Sequence, residues 1–208
     1  MKNLPKKIPI FPLRGVIFFP DTNLPLNIFE NRYLKMINDA LKGNKFLGMI
    51  QSKEVDGEVY TIGCLGKIGE HNRTDDGRIL INLVGVNRFK IDKEIENKEP
   101  YREFSVNYEV FEKDSDNSDK KINSDKLKEL LNNCKIFFKK NGIMINWDQL
   151  SKLSIKKQIY NLSMISPISV EEKQKLIETI ELSEIINTLN DITKFNFYED
   201  AYQKKILQ

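Results

Sequence analysis

Apolar positions in the first thirty residues come in short runs broken by Pro9, Pro12, Pro20 and Pro25. Each proline lacks a backbone donor and fixes φ, so such runs belong at strand starts, edges and bulges. The pattern predicts extended pieces at residues 8–13, 16–19 and 24–29. The period then changes. Tyr33, Met36, Ile37, Ala40 and Leu41 recur at helical spacing, and Gly43 supplies a stop. Residues 46–51 read as a buried strand and 59–70 as a second extended run. Asp76-Gly77 is a hairpin signal inside a turn over residues 71–78. Residues 79–91 form a long apolar strand. Phe104, Val106, Tyr108 and Val110 then alternate with Glu103, Ser105, Asn107 and Glu109, which predicts a strand with one buried face.

The pattern shifts at residues 113–124, KDSDNSDKKINS, a polar stretch without aromatics that predicts a linker. Beyond it the period is helical. Ser124 is placed as the cap of a helix running to Lys140, with Leu127, Leu130, Leu131, Cys134, Phe137 and Phe138 as its stripe. A second helical region spans residues 147–164 and stops at Ser166-Pro167. Ser169 and Glu172 form a capping box for the next helix, and a last helix runs from about Leu182 to beyond Phe195. The expected layout is α+β: a mainly β lobe over residues 1–113 with one inserted helix, a linker at 114–124, and a helical bundle at 125–208 packed on the lobe.

Composition narrows the partners. The 33 basic and 30 acidic residues leave a net charge of only +3, too weak a bias to indicate nucleic acid. Doublets such as Lys6-Lys7 and Lys139-Lys140 sit beside acids or at helix ends and read as solvated faces. Two cysteines, Cys64 and Cys134, form no ligand pair, and the N-terminal residues have no secretory apolar core. A cytoplasmic protein with free thiols is expected. No run reaches the roughly 18 apolar residues that span a membrane.

Catalytic chemistry is sparse. Gly63-Cys64-Leu65-Gly66-Lys67-Ile68 is the nearest text to a phosphate loop, but its spacing is wrong and Ile68 stands where a hydroxyl is needed. Glycines that let a strand bend are the better account. His71 is the single histidine, which excludes multi-histidine metal sites. A Cys64–His71 dyad would span roughly 23 Å along an extended strand at ~3.3 Å per residue, so Cys64 is expected in the core and His71 in a turn. Asp75-Asp76 reads as a solvated turn pair. Neither a cofactor nor a metal is expected.

Five segments occur in a telling order: FPLRGVIFFP, LPLNIFENRYLKMINDAL, VYTIGCLGKIGE, DDGRILINLVGVNRFKI and PYREFSV. Together, over about residues 8–111, they resemble the Lon protease N-terminal, substrate-binding domain family. Asn31 stands where that family often has proline. The resemblance implies a bacterial-type, PUA-like barrel lobe and a non-catalytic, ATP-independent role in binding unfolded or partner proteins and peptides. The ATPase and peptidase modules of a full protease are missing from this sequence, which suggests a standalone form acting as adaptor or chaperone-like binder. An uncharacterised small-molecule or hydrolytic enzyme is the rival reading, and a PUA-like RNA-binding module a further alternative. The apolar residues Phe18, Phe19, Pro20 and Tyr33, with Arg32 at their rim, are the candidate peptide-contact surface, because aromatics and arginine carry binding energy at interfaces. The competing account is that they hold the helix to the barrel, with Glu30 and Arg32 as buried partners.

Overall fold

A computed structural model describes residues 4–54, 57–115 and 122–206, with side chains apart from Ser115 and those beyond Asn196. Its elements, in order, are β1 (Lys7–Pro12), β2 (Asn23–Ile28), α1 (Asn31–Lys42), β3 (Phe46–Ser52), β4 (Val59–Arg73), β5 (Ile79–Ile95), β6 (Glu103–Asn107), a 3-10 turn (Glu109–Ser115), α2 (Ser124–Lys140), α3 (Trp147–Ser151), α4 (Ile155–Ile165), α5 (Val170–Glu178) and α6 (Leu182–Ile206). They divide into two compact units, Met1–Asn117 and Ser118–Gln208. Residues 116–121, inside the predicted linker, lie outside the described residues.

The first unit is a six-stranded sheet in the order β2-β5-β4-β3-β1-β6, and β6 also pairs with β5. That extra pairing closes β5, β4, β3, β1 and β6 into a ring, which removes their edges. Only β1 and β3 run parallel, with Ile10 opposite Gly48. The ring is filled by Ile8, Ile10, Ile50, Leu65, Phe89, Phe104 and Val106. Gly63 is required at this centre: a Cβ there would overlap the Met49 carbonyl. β2 stands outside the ring, paired antiparallel with the first half of β5, Leu26 opposite Ile81.

Several expectations shift. Residues 16–19 form no strand. After Gly15, at φ 74°, the chain crosses as a buried loop with Ile17, Phe18 and Phe19 all at 1% exposure or less. A loop packed into the core needs no alternation, so consecutive aromatics can both be buried. This loop passes so close to β5 that a Cβ at Gly85 would overlap the Phe19 carbonyl. β4 runs through His71 to Arg73, so His71 is an exposed strand residue paired with Ile81 rather than a turn residue.

β6 ends at Asn107, before the predicted alternation does. Val110 is exposed and Phe111 buried instead, because the chain turns into the 3-10 segment. That turn seats Asp114 on Arg88. The Arg88 backbone N–H and Nε donate to Asp114 Oδ2 at 3.0 and 2.9 Å, and Nη2 donates to Oδ1 at 2.7 Å. Both side chains are buried, at 1% and 4% exposure. The Arg88 guanidinium also lies 4.3 Å from the Phe111 ring centroid and 5.8 Å from that of Phe19. Asp114, assigned from its polar neighbours to the linker, is therefore part of the lobe's core.

The second unit is helical. Buried Leu130, Cys134, Phe137 and Phe138 make the stripe of α2, and Phe138 stacks on Trp147 with centroids 6.2 Å apart. Asn123, not Ser124, caps α2: its side chain accepts from the Asp125 and Lys126 N–H groups. The helical region expected over 147–164 breaks into α3 and α4, because Ser154 starts a new helix by accepting from the Lys157 N–H. The capping box of Ser169 and Glu172 is present with both bonds.

Candidate functional site

α1 starts three residues after β2 ends, and the junction sets the site. The Glu30 carbonyl accepts the N–H groups of Tyr33 and Leu34 at 3.0 and 2.8 Å, which starts the helix. Apolar spacing then directs Tyr33, Met36, Ile37 and Ala40 inward. Arg32 lies off that stripe. Its guanidinium sits 4.7 Å from the Tyr33 ring centroid, and its Nε donates to Glu30 at 3.0 Å. Phe11 of β1 meets the same tyrosine edge-on, with centroids 4.4 Å apart.

Arg32 and Tyr33 line a pocket with Ile10 and Pro12 of β1, Gly57, and the run Pro100-Tyr101-Arg102 that leads into β6. Arg102 is held in place from several directions. It makes a two-pronged pair with Glu94 at 2.7 Å on each arm, and a bond to the Gly57 carbonyl at 3.1 Å. Its guanidinium stacks 5.0 Å from the Phe104 ring centroid. Its own carbonyl accepts the Ile10 N–H at 2.9 Å. Tyr101 donates its hydroxyl to Asp39 of α1 at 3.0 Å. Asp39 is also bonded by Lys35, which reaches Glu99 at 2.9 Å as well.

The electrostatics follow from these pairs. Hydrogen bonding by Lys35, then by Tyr101, holds the Asp39 carboxyl below the usual carboxylate range. Arg102 does the same to Glu94. Burial, and next the bond to Asp39, pushes the Tyr101 hydroxyl up to about 12. Each of these cations faces a carboxylate, so the rim offers guanidinium faces and aromatic surface without a strong net field. At about 40 Å³ the pocket is small, far below the roughly 300–1,000 Å³ of pockets that enclose whole small molecules. Among its lining residues there is no nucleophile beside a base.

Of the five residues marked as a contact surface, the structure brings Arg32 and Tyr33 into this pocket. Phe18 and Phe19 are core residues at 1% and 0% exposure, and Pro20 is also buried, which corrects the exposed surface expected of them. The loop carrying them goes into the lobe, where Phe19 meets the Arg88 guanidinium. Tyr33 is 6% exposed, and Arg32 and Glu30 pair at the surface with side chains 36% and 44% exposed, not as buried partners. Pro100, Tyr101 and Arg102 were missed as site residues because nothing local ties them to α1; the segment PYREFSV was the signal that could have flagged them.

The rival catalytic dyad is not assembled. Cys64 is fully buried and burial pushes its thiol up, whereas His71 is exposed. Among the described residues no group of three or more His, Cys, Asp or Glu side chains could hold a metal, and no helix is long and apolar enough to cross a membrane.

Comparison with known proteins fits this architecture. A Lon protease of Flavobacterium johnsoniae is 30% identical over 194 residues, covering 88% of this chain and 23% of that protein. One of Dictyoglomus thermophilum is 25% identical over 195 residues, covering 88% and 24%. The chain thus spans about a quarter of the length of these curated relatives. Among solved structures, the N-terminal domain of a Mycobacterium avium complex Lon protease superimposes with a TM-score of 0.64 at 16% identity, covering 91% of this chain and 98% of that one. A Lon N-terminal domain protein from Xanthomonas campestris gives 0.63 at 18%, covering 88% and 96%. The family model for the ATP-dependent protease La (LON) substrate-binding domain matches residues 7–194, and the chain belongs to that family.

Proposed function

We propose that this chain is a non-catalytic binder of protein segments, taking a side chain of an unfolded or partner protein into the pocket between Arg32, Tyr33, Tyr101 and Arg102. The observation that carries this reading is the pocket itself. It is small and lined by two tyrosines, and its two guanidinium groups are held by Glu30 and Glu94. Preorganised arginine and tyrosine lose little freedom on binding, which is why such residues dominate interface energetics. The absence of a nucleophile–base pair among the lining residues supports recognition without chemistry. Membership of a substrate-binding family points the same way. The two cysteines are free and buried, in keeping with work in a reducing cytoplasm.

The test measures binding of a reduced and alkylated, permanently unfolded protein to the full chain and to Arg32→Ala. Binding should weaken about tenfold, the effect of one interface anchor, at an unchanged melting temperature. An unchanged affinity, or hydrolysis of the probe that survives purification, would overturn the reading.

A further inference from the structure

A second feature of the first unit is left unused by the pocket: the outer edge of β2. Among the described residues β2 pairs with β5 alone, while the other five strands close on themselves. Edges of this kind are ordinarily blunted by charged side chains. Asn-Leu-Pro-Leu-Asn-Ile contains no ionisable residue. Its only blunting device is Pro25. A proline within a sheet directs its donor-less nitrogen to the free side, so by strand alternation Asn23 and Asn27 present their N–H and C=O groups to that same side. Asn23, Pro25 and Asn27 are all exposed. Apolar side chains stand beside the strand as well, with exposed Lys67 of β4 beyond Val84. Leu80 and Val84, opposite Asn27 and Asn23 on β5, are 42% and 38% exposed, and Phe29, directly after the strand, is 64% exposed.

We infer that the β2 edge is a docking strand for an extended, uncharged, apolar segment of a client protein, which adds to the sheet by main-chain hydrogen bonds. The inference rests on the reading of this chain as a binder of protein segments. Main-chain pairing explains how such a binder accepts many sequences, since every residue except proline offers the same donor and acceptor. Matching the uncharged edge selects against charged segments. Pro25 interrupts the ladder at its centre, so the edge holds one short segment and does not seed a continuous ladder of copies. At ~3.3 Å per residue the six-residue edge spans roughly 20 Å, and it leads through Phe29 into α1, which carries Arg32 and Tyr33. A bound segment can therefore run from the edge toward the pocket.

The experiment uses the full chain, isotope-labelled for NMR, and a blocked octapeptide of alternating valine and threonine. Saturating peptide should slow amide exchange at Asn23 and Asn27 at least about tenfold, the effect of one new hydrogen bond. Leu24 and Leu26, already facing β5, should not change. Asn27→Pro should weaken peptide binding about tenfold, whereas Asn27→Ala, which keeps the N–H, should not. Binding without protection at Asn23 and Asn27 overturns the docking strand and leaves the general reading intact. No binding of the peptide or of the unfolded protein overturns both. Protection that grows with protein concentration in the absence of peptide assigns the edge to a second copy and overturns the inference.

Discussion

Replacing Asp114 with alanine tests whether the buried ion pair holds the end of the lobe. Arg88 makes three bonds to this one carboxylate, and its guanidinium faces the rings of Phe19 and Phe111. With Asp114 gone, a cation that is 1% exposed loses its counter-charge. Breaking a buried pair from one side costs about 3–5 kcal/mol, because the remaining charge stays desolvated. That is a large share of the roughly 5–15 kcal/mol that stabilises a typical domain. With a urea m-value of about 1.5 kcal/mol per molar, the midpoint should fall by about 2–3 M. Far-UV circular dichroism and amide exchange in β5 are the readouts, since the single tryptophan, Trp147, lies in the helical unit. The double variant Arg88→Met/Asp114→Leu should lose less than Asp114→Ala, because two apolar side chains remove both charges from the core. A loss below about 1 kcal/mol for Asp114→Ala, the size of a surface pair, would refute the argument, as would a double variant no more stable than the single.

Phe19→Ala should destabilise by about 3–5 kcal/mol, since the side chain is fully buried, while Arg32→Ala should change stability by less than about 1 kcal/mol because its ion pair is exposed. Paired thermal melts decide this, and equal melting temperatures for the two variants would show the burial assignment to be wrong. Tyr101 should titrate near 12 rather than near 10 in phenolate absorbance. Its contribution to stability is full below pH ~10 and is lost as the pH rises toward 12, since the unfolded chain ionises first. Asp39→Asn should lower that value only in part, because burial is the larger cause; a value unmoved from 10 in the unaltered protein would contradict the site geometry. Ser169→Ala should cost about 1 kcal/mol by removing one arm of the capping box, measured by chemical denaturation of the full chain.

Read as a string, the sequence determined the elements whose cause is local. The inward stripe of α1, the capping box at Ser169 and the alternation along β5 each depend on which residues lie two, three or four positions apart. The ordered segments from FPLRGVIFFP to PYREFSV also carried the family. Tertiary structure alone decided the rest. Phe18 and Phe19 are both buried because the chain there is a core loop, and the distant Gly85 leaves room for its close approach. Asp114 looks like linker beside Lys113 and Ser115, and becomes core only because a turn carries it to Arg88 on β5. The pocket is assembled the same way. β1, α1 and the segment before β6 each give it residues that look ordinary in sequence, and ring closure through β6 brings them together. Such long-range pairings leave no periodic trace, because the packing that selects them acts between residues far apart along the chain.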